Sequence, residues 1–501
     1  MYSDVRRLVV GASVAAAFVV GASPALASTA NPPVQLPDNP LAAASTTCAA
    51  LVAQELAALP NDRNYPNSEV EPWIADAGGG KYIAAFQQDR WTGGGANGTT
   101  IAVFGGTSWK LAASQPKFSI CEGATQGSPG YLQRSTDPWI TVSKDGTAYT
   151  IADSFDATGP GFGGPSSILI SRSTDSGNTW SDPVSVERDS GDGALNDKES
   201  ITADQNNSSD AYAVWDRLQN PSLHAKFDAF NHTFSYRGPA MFSRTLDGGN
   251  SWSQGRVIFD PGQWNQTIGN QMVVQPDGSL VDLFDLINNE HGPFGHNAST
   301  TFQVAMITSH DHGTTWSDPT IIANITDTQV RTLDGQDIRT GDILPEIAGD
   351  HTNGNLYVAY QNNAKISFTE STNGGVTWSA PIIISRSGSA QAFTPSIVVS
   401  GNGTVGVSYY DLRHATATTP GLTDTWFDSC TAGCATASAW TESQLDNAGS
   451  FDMKAAPQAG GYFVGDYESI APSGSGFRNL WVMAMPGTAA DPTNVFSDTV
   501  S

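Results

Sequence analysis

The chain has 501 residues, of which 24 are basic and 49 are acidic, so its formal net charge at pH 7 is −25. Nucleic acids and anionic membrane surfaces would repel such a chain, which argues against both as its main partners. The length allows either two ordinary domains or one large β domain.

The first residues, 1–27, carry the pattern of a secretory signal peptide. Arg6 and Arg7 supply the positive start, residues 8–22 are apolar, and residues 25–27 read Ala-Leu-Ala, the form that signal peptidase cleaves. The paired arginines leave the twin-arginine route as an alternative, although the rest of that pattern is missing. Cleavage after residue 27 predicts a secreted, extracellular protein. No later segment is apolar enough to span a bilayer, so no membrane insertion is expected after cleavage.

Residues 28–68 are predicted to form an N-terminal tether with one short helix. Residues 28–47 are rich in Ala, Pro, Asn, Ser and Thr, whereas residues 48–59 (CAALVAQELAAL) favour a helix. Four cysteines in an exported chain most simply form two disulfides, and their order suggests Cys48–Cys121 and Cys430–Cys434. A metal site at the second pair is the alternative, but no further Cys or His pair lies nearby.

From residue 70 onward, short runs rich in Val, Ile, Tyr, Phe and Trp alternate with Gly, Asn, Asp and Pro, which is typical of strands and turns. Two patterns repeat together along this region. The first, S/T-x-D/N-x-G-x-T/S-W, occurs at 173–180, 245–252, 309–316 and 371–378, with incomplete copies at 105–109 and 438–440. The second is a strand start, found at 72–74, 138–140, 199–201, 270–272, 345–347, 395–397 and 468–470, which makes seven units.

The first pattern predicts a tight structural hairpin and not a catalytic group. Its Asp can accept several backbone N–H bonds, its Gly can take positive φ, and its Trp can pack between layers. The pattern is the Asp box, and four copies resemble the sialidase-like, Asp-box β-propellers over about residues 69–500.

The resemblance implies an all-β fold of radial, four-stranded antiparallel blades with Asp-box hairpins, in one domain over residues 69–501. Seven strand starts favour seven blades, and six blades remain the alternative. The last unit, from residue 468, lacks an Asp box. We therefore expect the ring to close with a strand borrowed from the N-terminal segment.

Strand alternation predicts where a functional site lies. In an antiparallel blade whose strands A to D run outward from the channel, the start of A and the end of B share one face. The A–B turn and the Asp box lie on the other face. Side chains at A starts and B ends are unusually charged, and our candidates among them are Glu71, Arg90, Asp137, Glu199, Asp216, Arg217, Tyr410, Asp411, Arg413, Tyr467 and Glu468.

Such a charged ring suits glycosidic cleavage, which needs one protonated carboxyl and a second group that stabilises or attacks the anomeric carbon. Asp137 is the predicted acid. The resemblance to sialidases implies a tyrosine nucleophile polarised by a glutamate. Tyr410 or Tyr467, with Glu199 or Glu468, are the residues expected in that role.

Three arginines are predicted to bind the substrate. In sialidases an arginine trio grips the carboxylate of the sugar, and Arg90, Arg217 and Arg413 occupy equivalent B ends of different blades. The accompanying substrate-binding candidates are Glu71, Asp216 and Asp411. The alternative interpretation is that each Asp–Arg pair is an ion pair that ties neighbouring blades together.

One departure argues against sialic acid as the substrate. Sialidases usually open the first blade with Arg-Ile-Pro, whereas residues 70–72 of this chain read Val-Glu-Pro. The predicted function is a monomeric, exo-acting, sialidase-like glycoside hydrolase that binds a glycan or glycoconjugate. A non-catalytic propeller that binds carbohydrate or protein is the alternative, and a polysaccharide lyase is the third hypothesis.

Two loops at residues 218–239 and 288–301, which contain aromatic residues and histidines, are expected to shape specificity. No cofactor or metal site is predicted. Residues 189–197 have the oxygen density of a calcium loop but lack its full spacing, so calcium binding is left open.

Overall fold

The computed structural model describes residues 33–158, 164–190, 193–219, 237–290, 299–446, 450–485 and 491–500. The signal peptide predicted at residues 1–27 lies outside these residues, as does most of each loop expected to shape specificity. Those predictions therefore stay predictions. Within the described residues, no helix is long and apolar enough to cross a membrane.

The N-terminal segment contributes a short strand and two helices, β1 (Val34–Gln35), α1 (Leu41–Ala44) and α2 (Thr46–Ala58). Helix α2 confirms the helix predicted over residues 48–59. The Ser45 hydroxyl caps its start by accepting a hydrogen bond from the Cys48 backbone N–H at 3.3 Å.

The strands of the described chain are antiparallel and follow one another in units of four, of which the last takes β1 as its fourth strand. Unit one contains β2 (Glu69–Gly78), β3 (Lys81–Arg90), β4 (Ala96–Phe104) and β5 (Trp109–Leu111), and unit two contains β6 (Arg134–Val142), β7 (Ala148–Phe155), β8 (Ser166–Ser173) and β9 (Val184–Asp189). Units one and two are joined into one sheet by a single pairing of β4 with β6. Unit three contains β10 (Ala194–Ala203), β11 (Ala211–Gln219), β12 (Ala240–Thr245) and β13 (Arg256–Phe259), and unit four contains β14 (Gln266–Val274), β15 (Leu280–Glu290), β16 (Ser299–Ser309) and β17 (Thr320–Ile325).

Unit five contains β18 (Glu346–Gly349), β19 (Leu356–Asn362), β20 (Lys365–Ser371) and β21 (Ile382–Ile383), and unit six contains β22 (Ala392–Val399), β23 (Val405–Asp411), β24 (Leu422–Cys430) and β25 (Thr441–Gln444). A further strand, β26 (Phe451–Asp452), pairs with β24. Unit seven contains β27 (Ser469–Ser473), β28 (Gly476–Ala484), β29 (Thr493–Val500) and, outermost, β1. Two short 3-10 helices span Ala437–Ala439 and Met453–Ala455.

The units are arranged in a closed ring. The first strands contact one another in the order β2, β6, β10, β14, β18, β22 and β27, and β27 in turn contacts β2. The remaining strands of each unit follow outward from this ring. This is the predicted all-β propeller of four-stranded antiparallel blades. The order of contacts favours seven blades over six, and the blade number stays a prediction.

The ring closes by borrowing a strand, as the sequence predicted. Strand β1 pairs antiparallel with β29, with Val34 opposite Ser497, and the Leu36 backbone N–H donates to the Val495 carbonyl at 2.9 Å. The segment predicted as a tether therefore completes the last sheet. The domain boundaries at residues 28 and 69 stay predictions.

Side chains of the first strands connect neighbouring units. The Ile347 backbone N–H donates to Gln271 Oε1 at 3.2 Å, and the Ile397 N–H donates to Glu346 Oε2 at 3.1 Å. The Ile74 N–H likewise donates to Ser469 Oγ at 3.2 Å, from unit one to unit seven. All three acceptors hold the middle position of the repeated strand start. They satisfy buried N–H groups that a neighbouring strand would satisfy in an ordinary sheet.

The Asp boxes have the structural role that the sequence predicted. Asp175 Oδ1 accepts hydrogen bonds from Ser173 Oγ and the Thr179 N–H, both at 2.8 Å, and Oδ2 accepts one from Thr179 Oγ1 at 2.7 Å. The second and third boxes repeat these contacts. In the fourth, Asn373 Oδ1 accepts the same two bonds and its Nδ2 donates to Thr377 Oγ1. The Trp180 ring packs against Ile140 in the apolar core between units one and two. The box therefore fixes its own turn and anchors it between blades.

Both predicted disulfides are present. Cys48 of α2 bonds to Cys121 in the connection between units one and two, and Cys430 bonds to Cys434 after β24. No cysteine is left free.

Asp247, the carboxylate of the second box, offers a test of this turn. The fourth box has Asn373 at the same position, and its amide still accepts from Ser371 Oγ and the Thr377 N–H and donates to Thr377 Oγ1. We therefore expect Asp247→Asn to melt within about 1 °C of the wild type, and Asp247→Ala to melt roughly 1–3 °C lower, because alanine removes every side-chain bond. Thermal unfolding at pH 7 measures both. An equal fall in melting temperature in the two variants would contradict the structural interpretation of the Asp box.

Candidate active site

The first strands of units one to three share a β-bulge at the same position. The pairing register shifts within residues 70–73, 136–139 and 197–200. In each bulge a charged residue takes a left-handed backbone conformation, with φ of 52° at Glu71, 47° at Asp137 and 50° at Lys198. Such a conformation costs about 1 kcal/mol for a residue other than glycine. Because a bulge re-aims its side chain, these three charges can meet instead of alternating across the sheet.

Lys198 lies at the centre of a buried group that we call the lysine cluster, with Glu71, Asp137 and Asp466. Its Nζ is 2.9 Å from Asp137 Oδ1, 2.9 Å from Asp466 Oδ2 and 3.2 Å from Glu71 Oε1. No side chain in the cluster is more than 5% exposed. Burial lowers the pKa of Lys198, but the three carboxyl groups outweigh it and hold this pKa well above its ordinary value. The lysine therefore remains an ammonium group that ties units one, two and three to the approach of unit seven.

Two arginines lie beside the lysine cluster. Arg339 Nε donates to Asp466 Oδ1 at 3.1 Å, and Arg90 Nη1 donates to Gln87 Oε1 at 2.9 Å. Their guanidinium carbons lie 4.6 Å and 4.7 Å from the centroid of the same ring, that of Phe463. Together they present two cations that a ligand at the channel mouth can meet.

Glu71, Arg90, Asp137, Lys198 and Arg339 line a pocket at the channel mouth. Its other lining residues are Gly93, Gly94, Gly95, Thr136, Asp153, Phe155, Leu195 and Asp197. A second cavity shares Lys198 with the first, and it is lined further by Trp139, Glu199, Gly269, Asn270, Gln271, Leu344, Glu346, Pro395, Asp466 and Tyr467. The lysine cluster therefore stands between the open pocket and this neighbouring cavity.

A pair of carboxyl groups, Asp153 and Glu199, lies next to the cluster without an ion pair among the described residues. The Asp153 backbone N–H donates to Glu199 Oε1, while Asp153 Oδ1 and Glu199 Oε2 have no hydrogen-bond partner in the described part of the chain. Burial raises both pKa values well above their ordinary range, and Asp137 raises each of them further. Because two adjacent buried carboxylates cannot both ionise easily, the pair retains a proton at neutral pH.

Glu71 is the third carboxyl group of the pocket with a raised pKa. Burial, reinforced by Asp137, raises this pKa to about 8, and Lys198 opposes the rise. Glu71 Oε2 also accepts a hydrogen bond from Gln87 Nε2. Glu71, predicted from the sequence to bind substrate, thus lines the pocket as a carboxyl group that can hold a proton at neutral pH.

The two predicted tyrosines have different surroundings. The ring centroid of Tyr467 is 5.5 Å from Lys198 Nζ, and its hydroxyl is 3.4 Å from the Pro138 carbonyl. Tyr410 is buried in the apolar core, where its hydroxyl donates to the Val482 carbonyl at 3.0 Å. Tyr467 therefore lies beside the site, whereas Tyr410 lines neither cavity. Glu468 is also fully buried outside both cavities, so the expectation that Tyr410 and Glu468 act there is corrected.

The three predicted arginines do not converge, and only Arg90 lines the pocket. Arg217 of unit three donates to Asp189 Oδ2 of unit two at 3.0 Å. Arg413 forms ion pairs with Asp411 and Glu442 inside unit six. The expected trio is corrected because nearby carboxylates hold two of its members.

Asp216, which was predicted from the sequence to bind substrate, has a structural role at the end of β11. Its Oδ1 accepts from Thr267 Oγ1 at 2.8 Å, and its Oδ2 accepts from the Gly269 N–H at 2.9 Å. These bonds join units three and four. Asp216 and Arg217 therefore do not pair with each other, and each joins unit three to a different neighbour, unit four for Asp216 and unit two for Arg217.

Four charged residues of the pocket were absent from the sequence candidates, namely Asp153, Asp197, Lys198 and Arg339. Asp197 and Lys198 directly precede the candidate Glu199 in β10. Asp153 pairs with Thr136 at the register position at which Asp216 pairs with Asp197, so a strict alignment of the units would have found it. Arg339 lies in the connection between β17 and β18, where no strand pattern applies. Its position could not be read from any repeat.

The possible cation sites lie away from this pocket. In the acidic segment 189–197, residues 191–192 are outside the described chain. Asp189 in this segment accepts hydrogen bonds from Arg217 and Asn196. Elsewhere, Asp204, Asp210 and His312 place ligand atoms within 4.8 Å of one another. Asp204 and Asp210 flank the turn between the first two strands of unit three, and His312 belongs to an Asp box. This group therefore lies on the face of the propeller opposite the pocket.

Comparison with known families confirms the repeat architecture. Residues 240–450 match the family described as "BNR repeat-like domain". The matched range contains three of the four Asp boxes, and the resemblance to sialidase-like, Asp-box propellers is confirmed. A search of curated proteins found no match.

Several solved structures are similar to this chain. They include a protein of unknown function from Dyadobacter fermentans (12% identity, 87% of this chain, 94% of that chain, TM-score 0.45). An α-L-arabinofuranosidase from Fusarium graminearum matches at 13% identity, over 94% of this chain and 98% of that chain, with a TM-score of 0.45. The NanB sialidase from Streptococcus pneumoniae matches at 12% identity, over 80% of this chain and 74% of that chain, with a TM-score of 0.47. Likenesses at this level do not assign a substrate.

Glu468 gives a prediction about pH and stability. Burial raises its pKa to about 8, above its ordinary value of 4.5, so its contribution to stability is complete below pH 4.5 and is lost as the pH rises through about 8. Glu468→Gln does not titrate. Between pH 5 and pH 8.5, the free energy of unfolding of the wild type should fall relative to this variant by about 2–4 kcal/mol. Denaturant unfolding of both proteins at both pH values measures these free energies. If the difference between wild type and variant were the same at pH 5 and pH 8.5, the prediction would be contradicted.

Proposed function

We propose that this chain is a secreted glycoside hydrolase, exo-acting and sialidase-like in architecture, with its active site in the pocket at the lysine cluster. The observation that carries this proposal is the meeting of two kinds of carboxyl group in one pocket. Asp137 contacts an ammonium group, whereas Asp153 and Glu199 form a buried pair with no cationic partner among the described residues. Glycosidic cleavage requires one carboxyl group that donates a proton and one carboxylate that assists at the anomeric carbon.

In this proposal Asp153 is the general acid. Its pKa is well above the ordinary range, its side chain lines the pocket, and its partner Glu199 reaches the neighbouring cavity. Asp137, which the sequence suggested as the acid, instead serves as the carboxylate, because Lys198 holds it at 2.9 Å. A group kept neutral at pH 7 is the better proton donor.

Arg90 and Arg339 are the proposed substrate-binding cations. Guanidinium groups bind carboxylates and hydroxyls through several directed N–H donors, and these two share the Phe463 ring at the pocket. The exo-acting assignment comes from the resemblance to sialidases alone. The two disulfides support secretion, because such bonds persist in oxidising compartments.

Release of reducing sugar from sialylated, uronic and neutral glycans tests the proposal. We expect Asp153→Asn and Asp137→Asn each to lower kcat/KM by about 100-fold or more, since each removes a group needed in the transition state. Asp247→Asn, in an Asp box on the other face, is the matched control and should keep wild-type activity. Activity that survives in both pocket variants would overturn the assignment of the site.

A non-catalytic propeller that binds glycan or protein is the second candidate. It is favoured by the low exposure of the lysine cluster, whose members already contact one another. Binding without turnover on every glycan of the panel would select this candidate. Unsaturated products detected by absorbance would select the third hypothesis, a polysaccharide lyase.

A further inference from the structure

One wall of the pocket is a glycine segment, Gly93–Gly95, between β3 and β4. A side chain at Gly93 would place its Cβ 2.6 Å from Asp62 Oδ2, and one at Gly95 would place its Cβ 2.8 Å from Phe155 Cζ. Gly95 also has a φ of 67°. The segment therefore fits closely between the N-terminal segment on one side and unit two on the other.

Arg134 is the side chain that holds this segment. Its Nη1 donates to the Gly94 carbonyl at 2.7 Å, its Nε donates to Glu55 Oε2 at 2.8 Å, and its Nη2 donates to Asp62 Oδ2 at 2.8 Å. Its guanidinium carbon lies 4.1 Å from the centroid of the Trp91 ring. The residue is 1% exposed. A planar guanidinium group can satisfy three partners in different directions, which a lysine cannot do with the same fixed geometry.

The partners of Arg134 come from outside the blade sheets. Glu55 belongs to α2, and Asp62 follows that helix and also accepts a hydrogen bond from the Gly93 N–H at 2.7 Å. Cys48 lies two turns before Glu55 on the same helix, and its disulfide to Cys121 fixes α2 to the connection between units one and two. The N-terminal segment therefore reaches the pocket wall through these side chains, and its backbone is joined to the residue before the wall, where the Thr92 N–H donates to the Arg63 carbonyl at 2.9 Å.

From these contacts we propose that Arg134 is a positioning residue, and that α2, Asp62 and the Cys48–Cys121 disulfide act with it as a brace that fixes the Gly93–Gly95 wall. This inference rests on the proposed function for what the wall is used for, namely substrate binding. The existence of the brace can be tested without any substrate. In this role the buried charges specify the geometry of the wall, while the blades supply the stability of the fold.

Hydrogen–deuterium exchange of a peptide covering residues 91–97 measures the brace directly. We expect Arg134→Met, which keeps the aliphatic part of the side chain, to speed exchange of the amides at residues 93–95 by about tenfold or more. Asp62→Ala removes the acceptor of the Gly93 N–H without replacing a fully buried arginine, so it gives the same readout if Arg134→Met fails to fold. Cys48→Ala combined with Cys121→Ala should produce a smaller increase in the same peptide.

Arg478→Met is the matched control, because Arg478 also stacks on aromatic rings, those of Tyr82 and Phe104, but lines neither cavity. It should leave exchange at residues 93–95 unchanged. Unchanged exchange in folded Arg134→Met or Asp62→Ala would overturn the proposal. On a glycan that the wild type cleaves, Arg134→Met should raise KM more than it lowers kcat. A wild type without turnover would defeat the proposed function, and the exchange result would still decide whether the brace exists.

Discussion

The whole structure depends on one constraint, that the first strands of a ring face a common channel and cannot share a hydrogen-bond ladder with one another. Their buried N–H groups still need acceptors. In this chain Gln271, Glu346 and Ser469 supply those acceptors across three of the joints between units. Polar residues at the centre of the propeller are therefore structural before they are functional, and the charged site is built on the same strands.

At one end of three of these strands, the bulges at Glu71, Asp137 and Lys198 add a second use of polar side chains. The ammonium group of Lys198 offsets much of the negative charge that is buried where these side chains meet. Asp153 and Glu199 form no ion pair among the described residues, and burial raises both of their pKa values well above the ordinary range. Neighbouring carboxyl groups thus acquire different protonation states from their contacts alone, which is the condition for acid–base chemistry in one pocket.

Much of the fold could be predicted from the sequence because its signals are local and repeated. The Asp boxes and strand starts fixed the unit length, and the missing box in the last unit indicated a borrowed strand. The face of the site followed from strand alternation. Individual roles could not be predicted in this way, because equivalent positions make different contacts. Arg90 reaches the pocket, whereas Arg217 is held by Asp189 and Arg413 by its own unit.

Asp153 and Lys198 escaped prediction although they occupy repeated positions, whereas other missed residues lie where no repeat applies. Arg339 comes from an irregular connection, and the partners of Arg134 come from the helix that precedes the blades. Side chains that reach a site from such segments depend on tertiary packing, which a pattern of alternating residues does not encode.

The pairing of β1 with β29 has a consequence for the order of folding. Strand β1 emerges early during synthesis, but the strand that it pairs with is made near the end of the chain. The outer edge of the last blade therefore cannot form before β29 has been made, and among the strand pairs of the described residues this one has the greatest sequence separation. Because closing so long a loop is slow, an open-ring intermediate with an unpaired β29 edge should precede the native state. The last blade is therefore complete only after β29 has been synthesised.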